Sequence, residues 1–279
     1  MPAGGDPIET PIKPNGRLAL VTGASSGIGA GFARALAARG WDLALVARRA
    51  DRIEALAAEL AAAHGIVAFA LPADLAVAEA HEAIVQAVAA RGRHVDMLVN
   101  NAGFSIPQSF AAVPWSRQRD FLITLVVNAC GLAHAVLPGM VERGDGRIIN
   151  VASLAGFAPG VAGHTLYPGA KSLMISFSQG LDAEYGPGGV RVTAVCPGFT
   201  RTGFAEANGT EAVMATAPRR LFQTVEQVVE AALRANDRGR VVVVPGWHNA
   251  LAVALMRALP MGLVRRILMR GSAKYHLGD

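Results

Sequence analysis

The 279-residue chain is 52% hydrophobic and 17% charged, enough apolar material for one large core and no reason to divide it. Its formal charge of +5 and pI near 9.8 invite a nucleic-acid reading, but aromatics are only 6% and the cations are scattered, so the basic-aromatic footprint of a nucleic-acid binder is missing. Cys130 and Cys196 stand alone and the histidines are dispersed, which leaves no disulfide framework and no recognisable metal spacing.

Residues 1–16 hold four prolines and three glycines and read as a flexible tail. They lack the basic start and apolar stretch of a signal peptide, so a cytoplasmic protein is expected. Leu18 to Val21 forms a first strand that breaks into Gly23, Gly27 and Gly29 and opens an Ala-rich helix to Arg39. Glycines let a backbone turn sharply and approach a phosphate, and the helix start supplies unpaired N–H groups to hold one. Trp41 to Ala47 is a second strand, near-continuously apolar as a doubly covered strand should be. A helix follows over 48–64 and is closed by Gly65. Strand 66–71, helix 77–90 and strand 97–100 come next, the last running into Asn-Ala-Gly.

The alternation continues. Residues 115–141 read as a long helical stretch, breaking near Pro114 and ending near Pro138 to Gly144. Strands 147–151 and 190–195 enclose a helix from about Leu166 to Tyr185. Thr224 and Gln227 form a capping box ahead of a further helix, and Arg240 to Val244 is the last strand. This rhythm predicts a single α/β domain over 17–246, a Rossmann-type doubly wound parallel sheet of about seven strands with helices on both faces. Ligands are then expected at the carboxyl ends of the strands. The long connection over about 199–223 has little periodicity and reads as a lid.

Tyr167 and Lys171 lie four residues apart on a predicted helix and therefore on one face. Tyr and Lys are both scarce here, three of each, and the composition otherwise prefers Arg. An adjacent ammonium is expected to bring the phenol down from its ordinary pKa of about 10 toward neutrality, making it a usable acid or base. Ser153 follows a strand end, where active-site residues gather, and its hydroxyl suits a carbonyl oxygen beside the phenol. Asn128 is a polar residue on an apolar helix; if buried, it must have partners.

Together these segments resemble the short-chain dehydrogenase/reductase family from about Arg17 to Pro245. Thr22-Gly-Ala-Ser-Ser-Gly-Ile-Gly29 is similar to its cofactor turn, Asn100-Asn-Ala-Gly103 to its strand-four motif, and Pro197-Gly-Phe-Thr-Arg-Thr202 to its PG-x-x-x-T segment. Asn128, Ser153, Tyr167 and Lys171 match its catalytic tetrad. The resemblance implies that Tyr167 exchanges a proton with the substrate oxygen and Ser153 holds that oxygen. Lys171 would bond the nicotinamide ribose and lower the tyrosine pKa, and Asn128 would support a water leading to Lys171. It also implies cofactor contacts from Gly23, Ser25, Ser26, Gly27, Ile28, Gly29, Asp74, Leu75, Asn101, Ala102, Gly103, Pro197, Gly198, Thr200 and Thr202. Two departures stand out. The segment from Ser153 to Tyr167 is one residue longer than usual, and Pro168-Gly169 follows Tyr167, which places the helix start at or just before it.

The second strand ends in Arg48-Arg49 with no acid until Asp51, so the expected cofactor is NADP(H) and not NAD(H), with Arg48 the main phosphate contact and Arg49 the lesser. The expected activity is hydride transfer between NADP(H) and a carbonyl or secondary alcohol. A 3-oxoacyl-thioester reductase is the alternative, and a non-catalytic dinucleotide sensor ranks below both. No residue here separates the substrate classes. Residues 247–279, apolar with scattered Arg, are expected to pack on the domain or on a subunit of a homodimer or homotetramer in preference to a membrane surface.

Overall fold

The computed structural model describes residues 16–160, 162–202 and 218–272. Seven parallel strands form one sheet in the order β3-β2-β1-β4-β5-β6-β7. They are β1 (Leu18–Thr22), β2 (Asp42–Ala47), β3 (Ala68–Pro72), β4 (Met97–Asn100), β5 (Gly146–Val151), β6 (Val190–Val195) and β7 (Val242–Val243). The helices between them are α1 (Gly27–Ala37), α2 (Ala50–His64), α3 (Ala80–Ala89), α4 (Trp115–Leu122), α5 (Asn128–Glu142), α6 (Tyr167–Tyr185) and α7 (Val225–Asp237). After β7 come α8 (Trp247–Ala258) and α9 (Met261–Ser272).

Successive strand residues point to opposite faces, and both faces here are apolar because both are covered. Ala19, Val21, Leu43 and Leu45 pack with Phe32 and Leu36 of α1 and with Val228 and Leu233 of α7. Leu18, Leu20, Ala44 and Val46 pack on the other side with Ile84 of α3 and Leu132 and Val136 of α5. The strand order reverses between β1 and β4, and the crevice outside those strand ends is where such sheets bind ligands.

Two elements differ from the sequence expectation. The long helical stretch is interrupted by a π-helical turn, Ile123–Val127, between α4 and α5. Beyond it α5 runs through Pro138 and ends at Glu142, as expected, because Leu137 and Met140 are buried on either side and their packing outweighs the lost N–H bond. β7 is two residues long, since only Val242 and Val243 find partners on β6. The capping box at α7 is present, with Gln227 N donating to Thr224 Oγ1 at 3.3 Å and Thr224 N to Gln227 Oε1 at 3.0 Å.

Candidate active site

The Gly-rich turn between β1 and α1 is built for close approach. Gly23 and Gly27 have φ of +66° and +55°, which side chains disfavour. A Cβ on Gly29 would lie 2.3 Å from the Gly23 carbonyl oxygen, so this position excludes any side chain. Thr22 and Asn101 lock the turn to β4. Thr22 Oγ1 donates to Val99 O at 3.2 Å and accepts from the amides of Asn101 and Ala102 at 2.9 and 3.1 Å. Asn101 Nδ2 donates to Thr22 O at 2.9 Å and Gly23 O at 3.3 Å. The Asn101 side chain thus shapes the turn, while Ala102 and Gly103 continue along the crevice.

Ser26 caps α1 without a side-chain hydrogen bond, and the first turn holds no acidic residue, so its N–H groups and the helix dipole are available to an anion. The Arg49 guanidinium lies across this turn, donating to Ser25 Oγ at 2.8 Å and Ser26 Oγ at 3.0 Å. Arg48 is exposed and makes no side-chain bond among the described residues. By placement the two arginines stand in reversed order, Arg49 bonded to the turn and Arg48 not. Three donors converging beside a helix N-terminus, with no carboxylate at the end of β2, fit a 2′-phosphorylated dinucleotide. Asp74 is exposed after β3, where its Oδ1 accepts from Ala76 N at 3.1 Å; Leu75 is buried beside it.

Ser153, Tyr167 and Lys171 come together beyond β5. Ser153 caps the short 3-10 turn Leu154–Phe157, its Oγ accepting from Ala155 N at 3.1 Å, and its side chain is hydrogen-bonded to Tyr167. Tyr167 is the first residue of α6, with Pro168 in the first turn where its missing N–H costs little, as expected. Lys171 is 7% exposed; its Nζ donates to Val151 O at 2.8 Å and lies 5.7 Å from the Tyr167 ring centroid. Burial brings the ammonium down to about 8. Burial also raises the phenol above its ordinary value, and the Ser153 hydrogen bond only partly opposes this. Desolvation of the phenol thus outweighs the help from Ser153. Beside Tyr167 lies a small cavity of mixed lining, with Ile106, Phe110, Phe121 and Leu166 beside Gln108, Gln118 and Thr165.

Asn128 does not join this group. Its side chain is fully buried and spent on the α3 side of the fold. Nδ2 donates to Leu75 O at 2.9 Å and Val77 O at 2.7 Å, and Oδ1 accepts from His81 N at 3.0 Å and contacts His81 Nδ1 at 2.9 Å. The cavity beside Lys171 is lined instead by Thr124 and Leu125 of the π turn, with Thr22 and Asn100. The Asn128 side chain thus holds the β3–α3 loop, directly after the π turn. A polar group that sequence reasoning passed over does reach this cavity. Asn100 Nδ2 donates to Ala129 O and Asn150 Oδ1, both at 3.0 Å, while its buried Oδ1 has no hydrogen-bond partner. Two asparagines closing adjacent apolar strands were the available signal.

Pro197, Gly198, Thr200 and Thr202 form the near edge of the crevice. Thr202 lies against the Gly-rich turn, 3.2 Å from where a Cβ on Gly27 would sit. Thr200 Oγ1 donates to Gly198 O at 3.2 Å, and Thr200 bridges to Gln223. Gln223 N donates to Phe199 O and Arg201 N to Gln223 O, both at 2.9 Å, so the two ends of the expected lid are stitched together. Residues 203–217, with Phe204, Val213 and Met214, lie outside the described residues, as does the expected tail over 1–15. Asn249 of α8 fastens this stem, donating to Gln223 Oε1 at 2.9 Å and Pro245 O at 2.8 Å.

Comparison with known proteins agrees with this geometry. A family model for short chain dehydrogenases matches residues 17–213. The chain is similar to a short-chain dehydrogenase from Sphingobium yanoikuyae solved in complex with NADPH, at 36% identity and a TM-score of 0.76, covering 88% of this chain and 96% of that one. It is similar to the bulky-bulky ketone specific alcohol dehydrogenase of Comamonas testosteroni, at 31% identity and a TM-score of 0.72, covering 88% and 95%. It also shares 36% identity over 191 residues with the very-long-chain 3-oxoacyl-CoA reductase of Anas platyrhynchos, spanning 67% of this chain and 61% of that protein.

Proposed function

This chain belongs to the short-chain dehydrogenase family, and on that premise we propose that it is an NADP(H)-dependent oxidoreductase interconverting a carbonyl and a secondary alcohol. The observation that carries this reading is the convergence of Ser153, Tyr167 and Lys171 beside a Gly-rich turn crossed by Arg49. When bound, the nicotinamide supplies or accepts the hydride at the reacting carbon. The protein's own groups manage the oxygen. Ser153 Oγ holds it next to the phenol, and Tyr167 gives it a proton in the reductive direction. A phenol raised by burial keeps that proton at neutral pH, as a general acid requires. The Lys171 ammonium, held by Val151 O, places positive charge near the phenolate that forms. Arg49, Ser25, Ser26 and the first amides of α1 would hold the phosphates, and Thr200 and Thr202 the carboxamide side.

The mixed wall beside Tyr167, with Ile106, Phe110 and Leu166 next to Gln108, Gln118 and Thr165, supports a carbonyl substrate with both apolar and hydrogen-bonding parts. A second reading, reduction of a 3-oxoacyl thioester, is favoured by the likeness to an acyl-CoA reductase. A homo-oligomer is supported by Val127 and Leu173, exposed at 45% and 42% on the π turn and α6. Two unpaired cysteines, one buried and one half-buried, support a reduced, cytoplasmic setting. The test is NADPH consumption across ketones, steroids, diketones, sugars and acyl thioesters, with Tyr167→Phe as control. Turnover on one class, lost in the variant, establishes both activity and substrate class. Tight NADPH binding with no turnover on any class would overturn the enzyme reading in favour of a sensor.

A further inference from the structure

The C-terminal helices leave a face of unusual composition uncovered. On α8, Trp247, Leu251 and Leu255 recur at four-residue intervals and are 79%, 52% and 51% exposed, with exposed Ala250, Ala254 and Ala258 filling the same stripe. The opposite side of the helix is buried through Asn249 and Val253. On α9, Met261, Leu263, Ile267 and Met269 are likewise exposed, with Val264 alone buried among the described residues. Isolated exposed apolar residues are ordinary; seven large ones on two consecutive helices are not. The cations on the same helices, Arg257, Arg265 and Arg266, are all exposed. From 245 to 278 the sequence contains no Asp or Glu, and it adds Arg270 and Lys274.

We propose that α8 and α9 seat the protein on the surface of an anionic lipid bilayer, apolar stripe inserted and arginines among the headgroups. Charge decides between this and a second copy of the chain. A two-fold interface places the same patch against itself, and this patch offers cations and apolar side chains with no carboxylate to meet them. An anionic headgroup layer complements both features at once. Neither helix spans a membrane, since each is twelve residues long and Pro260 separates them. Among the described residues one helical run is long and apolar enough to do so, Trp115–Glu142, and it is broken by the π turn and buries Leu125, Leu132, Val136 and Met140 in the domain.

The position of the patch gives docking a purpose. α8 packs on the 3-10 turn that follows Ser153, Arg257 lies 5.0 Å from the Phe157 ring centroid, and Asn249 ties α8 to the lid stem. α8 therefore carries the membrane face on one side and the contacts to the active-site region on the other, so docking would bring that region close to the bilayer.

The full-length protein would be floated with phosphatidylcholine vesicles with and without phosphatidylserine at low salt. Expected is recovery with the anionic vesicles alone, a blue shift of Trp247 emission measured in a Trp41→Phe/Trp115→Phe background, and release by salt. Replacing Arg257, Arg265 and Arg266 together by Gln should weaken vesicle binding about 100-fold, from about fivefold per cation. Leu251→Ser/Leu255→Ser should abolish the blue shift while leaving NADPH binding intact, which shows that the domain remains folded. No recovery with either vesicle overturns the proposal. So does a drop in sedimentation mass in Leu251→Ser/Leu255→Ser without vesicle binding by the wild type, which would make the stripe a subunit contact.

Discussion

The reversed order of the two arginines after β2 makes a quantitative prediction for Arg49→Ala. Its guanidinium already faces the Ser25 and Ser26 hydroxyls at 2.8 and 3.0 Å, a spacing that a 2′-phosphate can enter and share. Hydrogen bonds to charged groups contribute about 1.5–3 kcal/mol each, and an exposed residue belongs at the lower end. Two such bonds amount to about 3 kcal/mol, or about a 100-fold loss in kcat/KM for NADPH. NADH lacks the phosphate and should be used equally well by variant and wild type. Arg48→Ala, removing an exposed side chain with no partner, should change the NADPH/NADH ratio by less than about tenfold. The loss at Arg49 should also shrink as salt is added. Initial rates with both cofactors at two ionic strengths, for the two variants and the wild type, make the comparison. An Arg49→Ala enzyme that keeps its preference, or an Arg48→Ala enzyme that loses it, would refute the assignment.

Tyr167→Phe should lower kcat by about 10²–10⁴-fold with NADPH affinity unchanged, which fluorescence titration of the cofactor can verify. Reduction should decline as pH rises through about 8, where buried Lys171 loses its charge, and kcat/KM followed against pH reads this in the free enzyme. The same group affects stability with the opposite trend. Its folded value lies below its unfolded one, so the unfolded chain binds more protons between about 8 and 10.5, and this contribution grows as pH rises through that window. Gly29→Ala should distort the turn at a cost of about 1–3 kcal/mol and abolish cofactor binding, measured by denaturant titration and NADPH fluorescence. Asp42→Ala should destabilise by about 3–5 kcal/mol, because it strands Arg93, buried and ion-paired to Asp42 at 2.7 Å, and also removes the acceptor of Val67 N. A smaller shift in the urea midpoint would show that the Arg93 charge finds water.

The sheet was legible because its strands announce themselves. Near-continuous apolar runs such as Leu43–Ala47 read as strands covered on both faces, and the glycines at 23, 27 and 29 fix where the chain turns. Tyr167 and Lys171 were legible because four residues on a helix define a face, and the helix starts where Pro168 requires. The partners of buried Asn128 were not legible, because they lie far back along the chain and Asn128 follows a π turn that nothing in Ile-Thr-Leu-Val-Val signals. The choice between Arg48 and Arg49 turns on the direction of two flexible side chains, which spacing does not encode. The phenol's upward shift was hidden as well, because it depends on how much protein surrounds the hydroxyl. Likewise, Asn249 lies far along the chain from the Gln223 it fastens, and no local pattern links the two.

The anchor of Lys171 has a bearing on how such an enzyme changes over evolutionary time. Its acceptor is the carbonyl of Val151, a group that every residue carries and no single substitution deletes. Side-chain drift along α6 therefore leaves the ammonium in place. The residues that surround the substrate enjoy no such protection: Ile106, Phe110 and Leu166 contribute through their side chains alone. A lineage can exchange them one at a time, sampling new carbonyl compounds, while the chemistry beneath is inherited intact.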